Sequence, residues 1–300
     1  MIKTMQDLIA AVKNSKRKRL AVAVAQDAEV LQAVHSAYNL GLVDVSLIGD
    51  KAKIFEISDS LGIDVSNFEI IKETDIRKAI KTTVDLVSSG RADVLMKGIV
   101  QTADLLRVVL DKDIGLRTTR TISHVAMLES PHYHKMLFIT DGGMNIAPDL
   151  KQKADIVQNA VDVARSIGIS TPKVAILGAL EIVNSNMQAT LDGAVLSKMA
   201  ERGQLKNCIV DGPLALDNAI NEEAARHKGI VSPVAGDVDI LVSPDIESAN
   251  IQYKTMVFLG GAKPCGIITG TKAPVVTTSR ADDHIAKLHS IALACLGTIK

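Results

Sequence analysis

The chain is expected to fold as an α/β protein of two domains with mostly parallel sheets flanked by helices, and three observations predict this. Short β-rich runs alternate with amphipathic stretches of helical length almost from end to end. The runs are near-continuously apolar, as in strands covered on both faces of a parallel sheet. With 300 residues, 47% of them apolar, the chain also reaches the size at which a single core splits, roughly 250 to 300 residues.

In order, RLAVAVA (19–25) reads as the first strand, Asp27 opens a helix towards Gly41, DVSLIG (44–49) follows as a strand, and a further helix comes next. The rhythm continues through FEIIKE, a helix from about Thr74 to Ser88, DVLMKG (93–98), and a helix with Thr102 as its N-cap. TISHVAML, MLFITDGG and a long helix from about Asp149 to Ile167 begin a fresh cycle. KVAILG, a helix near 187–202, NCIVDG, a helix near 214–227 and DILVS extend it. A helix beginning near Ile246, a GIIT strand, VVTT (275–278) and a helix from about Ala281 to Cys295 close the chain. Breaks at ESPHYHK (129–135) and GGAKPCG (260–266) suggest a discontinuous first domain, 1–130 plus 268–300, and a second, 131–267.

Composition removes several classes of function. The 34 basic and 34 acidic residues cancel, only 2% of residues are aromatic and none is Trp. Neither a basic field nor a stacking platform is available for nucleic acid. No run reaches the roughly 18 apolar residues of a membrane span, and the start, MIKTMQDLIAAVKNSKRKR, lacks the apolar stretch of a secretory signal. Cys208, Cys265 and Cys295 are far apart and odd in number, against a disulfide framework or thiolate metal site, so a reducing cytoplasm is expected. Walker, G-x-G-x-x-G and G-x-S-x-G patterns are absent.

Ligands of parallel sheets bind beyond the carboxyl ends of strands, which directs attention to the strand-end loops. The richest is Thr277-Thr278-Ser279-Arg280-Ala281-Asp282-Asp283. There a helix N-terminus offers unpaired N–H groups, Arg280 a planar fork for two phosphate oxygens, and Ser279 a hydroxyl. Ser279-x-x-Asp282 is equally a capping box, and the sequence leaves both readings open. If Asp282 serves the cap, Asp283 is the freer carboxylate.

Lys97-Gly98 before Thr102 has the same strand-to-helix character, an anion site or a simple turn. Arg117 and Arg120 flank a Thr pair and are candidates to complete an anion pocket, against a default of solvated arginines. Asp141-Gly142-Gly143 reads as a strand-end turn. His132-x-His134 lacks a third ligand at recognisable spacing, and no metal site is expected. The run Lys16-Arg17-Lys18-Arg19 reads as a solvated turn before the first strand.

SPVAGDVDILVSPDIESANIQYK (232–254), DGPLALDNAI (211–220) and TSRADD (278–283) resemble corresponding segments of the phosphate acetyltransferase and phosphate butyryltransferase family. The resemblance runs from KGIVQTADLLR to the last helix. It implies a fold like that of isocitrate and isopropylmalate dehydrogenases, a homodimer, and an active-site cleft between domains that binds coenzyme A. It implies the reversible reaction of acyl-CoA with inorganic phosphate to give acyl phosphate and CoA, with CoA a substrate and no tightly bound cofactor. The family's Ser-Arg pair falls on Ser279 and Arg280, and its basic aspartate on Asp282 or Asp283, of which Asp283 is the expected base. Lys97, Arg117, Arg120, Gly142 and Asn250 are the expected substrate-binding residues. The acetyl enzymes carry a longer Gly-Cys-Ser stretch after Ser-Arg, whereas here Ala281 leads directly to Asp282. That shortening resembles the butyryl branch, so butyryl is the expected acyl group and acetyl the alternative. Readings of other classes are a decarboxylating dehydrogenase, whose nicotinamide and Mg²⁺ motifs are not found here, and a non-catalytic acyl-CoA-binding protein, against which Ser279, Arg280 and the nearby carboxylates count.

Overall fold

The structure, a computed structural model, describes residues 2–278 and 282–297. It divides into two compact units, one formed by Met5–Thr119 with Cys265–Lys300, the other by Met1–Thr4 with Arg120–Pro264.

The first unit runs through α1 (Met5–Lys13), β1 (Lys18–Ala23), α2 (Ala28–Asn39), β2 (Val43–Gly49), α3 (Lys51–Leu61), β3 (Glu69–Lys72), α4 (Ile76–Ser88), β4 (Val94–Lys97) and α5 (Thr102–Val109). The second contains β5 (Ser123–Glu129), β6 (Leu137–Thr140), α6 (Leu150–Ser166), β7 (Lys173–Leu177), α7 (Gln188–Glu201) and β8 (Ile209–Leu214). It continues with α8 (Leu216–Ile220), α9 (Glu222–His227), β9 (Ile240–Val242), α10 (Ile246–Lys254) and a π-helical turn, Thr255–Leu259. β10 (Lys263–Thr269) leads back to the first unit, completed by β11 (Val275–Val276) and α11 (His284–Gly297).

Aspartates set the helix starts. Asp27, Asp50 and Asp75 precede α2, α3 and α4, and their carboxylates accept the N–H groups of Val30, Ala52 and Lys78. Asp149 and Gln152 form a capping box at α6. Beyond the cap, α4 buries Ala79, Ile80, Thr83, Val84 and Val87, the three-to-four spacing that turns one apolar stripe towards the sheet.

In the first unit the strands lie in the order β3-β2-β1-β4-β11-β10. All neighbours are parallel except β10 and β11, which pair antiparallel at Ile268↔Val275. The chain walks outward from β1 through β2 to β3, then returns to place β4 on the other side of β1. Leu20, Ala21, Val22 and Ala23 of β1 are all fully buried, which accounts for the unbroken apolar run in the sequence. The second unit has the order β5-β6-β9-β7-β8, with β5 and β6 antiparallel and the rest parallel. β5 falls in this unit with its ladder partner β6, register Ala126↔Ile139, and the chain turns between them through 130–136. No helix among the described residues is long and apolar enough to cross a membrane.

Local departures from the sequence reading have identifiable causes. The helix expected over 214–227 is two, because Asn221 ends α8 and its side chain accepts the Ala224 N–H to start α9. Thr102 is the first residue of α5 and not its cap; Gln101 holds that position without a side-chain bond. The last helix starts at His284, three residues later than expected.

At the β5–β6 turn a charged cluster ties the chain to the loop before β9. Asp237 binds His134 at 2.8 Å, Lys135 at 2.9 Å and Lys173 at 2.8 Å. Partial burial raises the Asp237 pKa, but hydrogen bonds from Lys173, Lys135 and His134 outweigh it and hold the carboxyl well below the usual carboxylate range. A carboxyl depressed on folding stabilises the fold above its unfolded pKa of about 3.9, and that contribution fades as the pH falls below it. Asp237→Asn should therefore lower the Tm at pH 7, with the deficit shrinking below about pH 4. Thermal melts of both chains from pH 7 to pH 3 check this, and a deficit independent of pH would contradict it.

Candidate active site

The site begins with a strained residue. Val24, directly after β1, has φ of 57°, a left-handed conformation that costs a β-branched residue about 1–3 kcal/mol. Its neighbours explain its retention. The Gly98 N–H donates to the Ala23 carbonyl at 2.8 Å and the Ile99 N–H to the Val24 carbonyl at 2.9 Å. A Cβ on residue 98 would lie 2.2 Å from the Val24 oxygen and 2.6 Å from that of Ala23, so only glycine permits this approach. The loops after β1 and β4 are thereby locked together where strand order reverses, the usual ligand position of a parallel sheet.

A cavity of about 600 Å³ opens there, entirely within the first unit. Val30, Ile76, Ile99 and Val100 supply apolar wall, and Lys97, Thr278 and Lys287 bring polar groups. The Lys97 ammonium donates to the Gly98 and Val100 carbonyls, both at 3.2 Å. Lys287 is buried, 5% exposed, and its ammonium donates to the Asp282 main-chain carbonyl. The cavity also touches Asp27, Glu29 and Asp104. Asp27 caps α2 through the Val30 N–H at 2.9 Å, Asp104 binds Arg107 at 2.8 Å, and Glu29 faces His284 at 3.6 Å.

The sequence-derived site residues divide among three places. Lys97 lines the cavity together with Thr278, the residue before Ser279. Ser279 and Arg280 lie outside the described residues. Asp283 caps α11, its Oδ1 accepting the Ala286 N–H at 2.8 Å. The conditional reading in which Asp282 serves the cap and leaves Asp283 the freer carboxylate is thus corrected. With His284 the first helical residue, the side chain able to reach the third helical N–H is that of Asp283.

The remaining residues sit elsewhere. Arg117 is exposed and pairs through its backbone with Thr271. Arg120 belongs to the second unit, where it binds Asp162 at 2.5 Å on the edge of a shallower cavity of about 360 Å³. Asn250 and Gly142 meet in that unit, the Asn250 Nδ2 donating to the Gly142 carbonyl at 3.0 Å. Their loop is held by Asp141, 4% exposed. Its Oδ1 accepts the N–H groups of His124, Gly143 and Met144 at 3.0–3.1 Å, and its Oδ2 both the N–H and Nδ2 of Asn145. The Asp-Gly-Gly turn therefore owes its shape to a carboxylate as much as to its glycines. Sequence reasoning missed Lys287, whose only signal is its spacing one helical turn after Asp283.

Comparison with known proteins identifies a family. The family model described as phosphate acetyl/butaryl transferase matches residues 3–83 and 72–295. A phosphate butyryltransferase from Clostridium acetobutylicum is 52% identical over 99% of this chain and 98% of its own length. A phosphate acetyltransferase from Thermotoga maritima is 48% identical over 94% of this chain and 95% of its own. Among solved structures, a branched-chain phosphotransacylase from Enterococcus faecalis V583 superposes with a TM-score of 0.82 at 34% identity, covering 93% of this chain and 99% of that one.

The lock between the two loops predicts that Gly98→Ala displaces backbone and costs about 1–3 kcal/mol. Urea unfolding measures this, and a variant as stable as the parent would show that the approach can relax freely.

Proposed function

Because the chain belongs to the phosphate acetyl/butyryl transferase family, we propose that it catalyses the reversible transfer of a short acyl group, butyryl foremost, between coenzyme A and inorganic phosphate. Acyl-CoA and phosphate give acyl phosphate and free CoA. The observation that carries this reading is the cavity at the strand-order reversal, which is lined by Lys97, Lys287 and Thr278 next to an apolar wall. An anion and an acyl chain ask for that combination. Butyryl is supported by the directness of Ser279-Arg280-Ala281-Asp282-Asp283 and by the likeness to the clostridial butyryltransferase. Acetyl is the alternative, supported by the likeness to the Thermotoga acetyltransferase.

In the direction of acyl-CoA formation, a carboxylate of the TSRADD segment removes the CoA thiol proton. The thiolate attacks the acyl-phosphate carbonyl carbon, the bond from that carbon to the bridging oxygen breaks, and phosphate departs with the electron pair, its P–O bonds intact. Asp283 is the proposed base; its Oδ1 is engaged by the Ala286 N–H, which leaves Oδ2 for the proton. Ser279 donates to the developing oxyanion, and Arg280, with Lys97, meets the charge collecting on phosphate. Arg117, Arg120, Gly142 and Asn250 belong to the same proposal as further substrate contacts.

We read transfer as direct, without an acyl-cysteine. A cysteine carrier would need a thiolate, and burial pushes the Cys295 thiol up to about 12 and, with the charge of Asp162, that of Cys208 up to about 11. Cys265 is fully buried and raised further.

Three finer readings complete the proposal. Kinship of the fold with isocitrate and isopropylmalate dehydrogenases is supported by two α/β units, each with a mostly parallel sheet. A cytoplasmic setting is supported by three free cysteines. Homodimerisation is supported by the exposed apolar side chains of the second unit, among them Ile182, Val183, Phe258 and Leu259, and light scattering should return twice the chain mass.

Thiol release from butyryl-CoA on addition of phosphate tests the function. Arg280→Lys, which loses the bidentate fork, should cost about 10- to 100-fold in kcat/KM for phosphate. Asp283→Asn should lower kcat about 10²- to 10⁴-fold. A silent Asp283→Asn beside an inactive Asp282→Asn would move the base to Asp282.

A further inference from the structure

Lys287 is a buried cation without a carboxylate. It is 5% exposed and is among the residues lining the cavity at the strand-order reversal. Of its three N–H donors, one binds the Asp282 main-chain carbonyl, and no carboxylate pairs with it among the described residues. The acidic groups around it are already engaged. Asp27 and Asp283 cap helices, Glu29 faces His284, and Asp104 holds Arg107.

An ammonium withdrawn from water is unfavourable unless an opposite charge or a full set of acceptors replaces hydration. A carbonyl supplies one acceptor only. If Lys287 served packing alone, an apolar side chain of the same length would do as well on a helix that buries Ala286, Leu288, Ile291 and Ala292 around it. The missing partner is therefore an anion that enters the cavity.

We infer that Lys287 is a binding group for a phosphate oxyanion, held between its ammonium and the Lys97 side of the cavity, next to the Asp282 carbonyl it also fixes. Two sources offer that chemistry, inorganic phosphate and the phosphate groups of coenzyme A. The inference rests on the proposed acyl transfer for the identity of the anion, but not for its binding.

Lys287→Met keeps length and removes charge, and Lys287→Arg keeps charge. Calorimetric titration of each with inorganic phosphate and, separately, with CoA reads binding without turnover. Lys287→Met should bind one of the two at least tenfold more weakly, with its Tm unchanged or raised, and Lys287→Arg should recover part of the loss. Loss confined to inorganic phosphate, with KM for phosphate rising more than kcat falls, identifies the transferred phosphate. Loss confined to CoA identifies the phosphates of coenzyme A. Unaltered binding of both by Lys287→Met overturns the inference. So does a loss that accompanies a lower Tm and that arginine does not restore, because Lys287 would then act only by bracing the Asp282 carbonyl. A parent chain that binds phosphate through Lys287 yet releases no thiol would sink the transferase reading and leave this site standing.

Discussion

The close passage of Gly98 beneath the end of β1 is the constraint on which the candidate site depends. Two main-chain hydrogen bonds join the loops after β1 and β4, and they form only because Val24 adopts a left-handed turn and residue 98 lacks a Cβ. Strain of this kind persists where surrounding structure over-determines it. Here the surroundings are the fully buried β1 and its parallel neighbours on both sides. The same lock that holds the loops together also leaves the cavity beside them and aims Lys97 into it.

Charge in the first unit is arranged locally, within a chain whose 34 cations and 34 anions cancel. Aspartates are placed at helix starts, where they accept N–H groups, so their negative charge is spent on backbone and not on the cavity. The result is a pocket that touches three acidic residues already engaged elsewhere and is also lined by Lys97 and Lys287. Overall neutrality in the composition therefore says little about the sign of a site; the engagement of each carboxylate decides it.

Much of this was legible in the sequence, for reasons that can be traced. The strands at 19–25 and 44–49 announce themselves because burial on both faces demands mostly apolar residues, and Asp27 and Asp149 mark their helices because a cap needs a short acceptor. Lys97-Gly98 stood out as a strand-end pair, and it lies in the cavity. The start of α11 was not legible. TSRADD holds several residues able to cap, and the choice among Ser279, Asp282 and Asp283 follows from where α11 begins, which is fixed by its packing on α2 and β11. Lys287 was hidden for a related reason: inside HIAKLHSIALAC a single lysine reads as a solvated charge, and only the fold shows it turned inward. The antiparallel pairing of β10 with β11 carries no periodicity that distinguishes it from parallel strands, and Asp141 looked like part of a turn because five converging donors are a three-dimensional property.

The raised thiol pKa values bear on more than the transfer step. An enzyme that handles CoA meets a free sulfhydryl at every turnover, and under oxidative stress CoA disulfides would be exchanged onto any accessible thiolate of the protein. Such exchange requires the ionised form of the attacking sulfur. Burial raises the pKa of all three cysteines, with the charge of Asp162 adding to it at Cys208, which disfavours that ionised form.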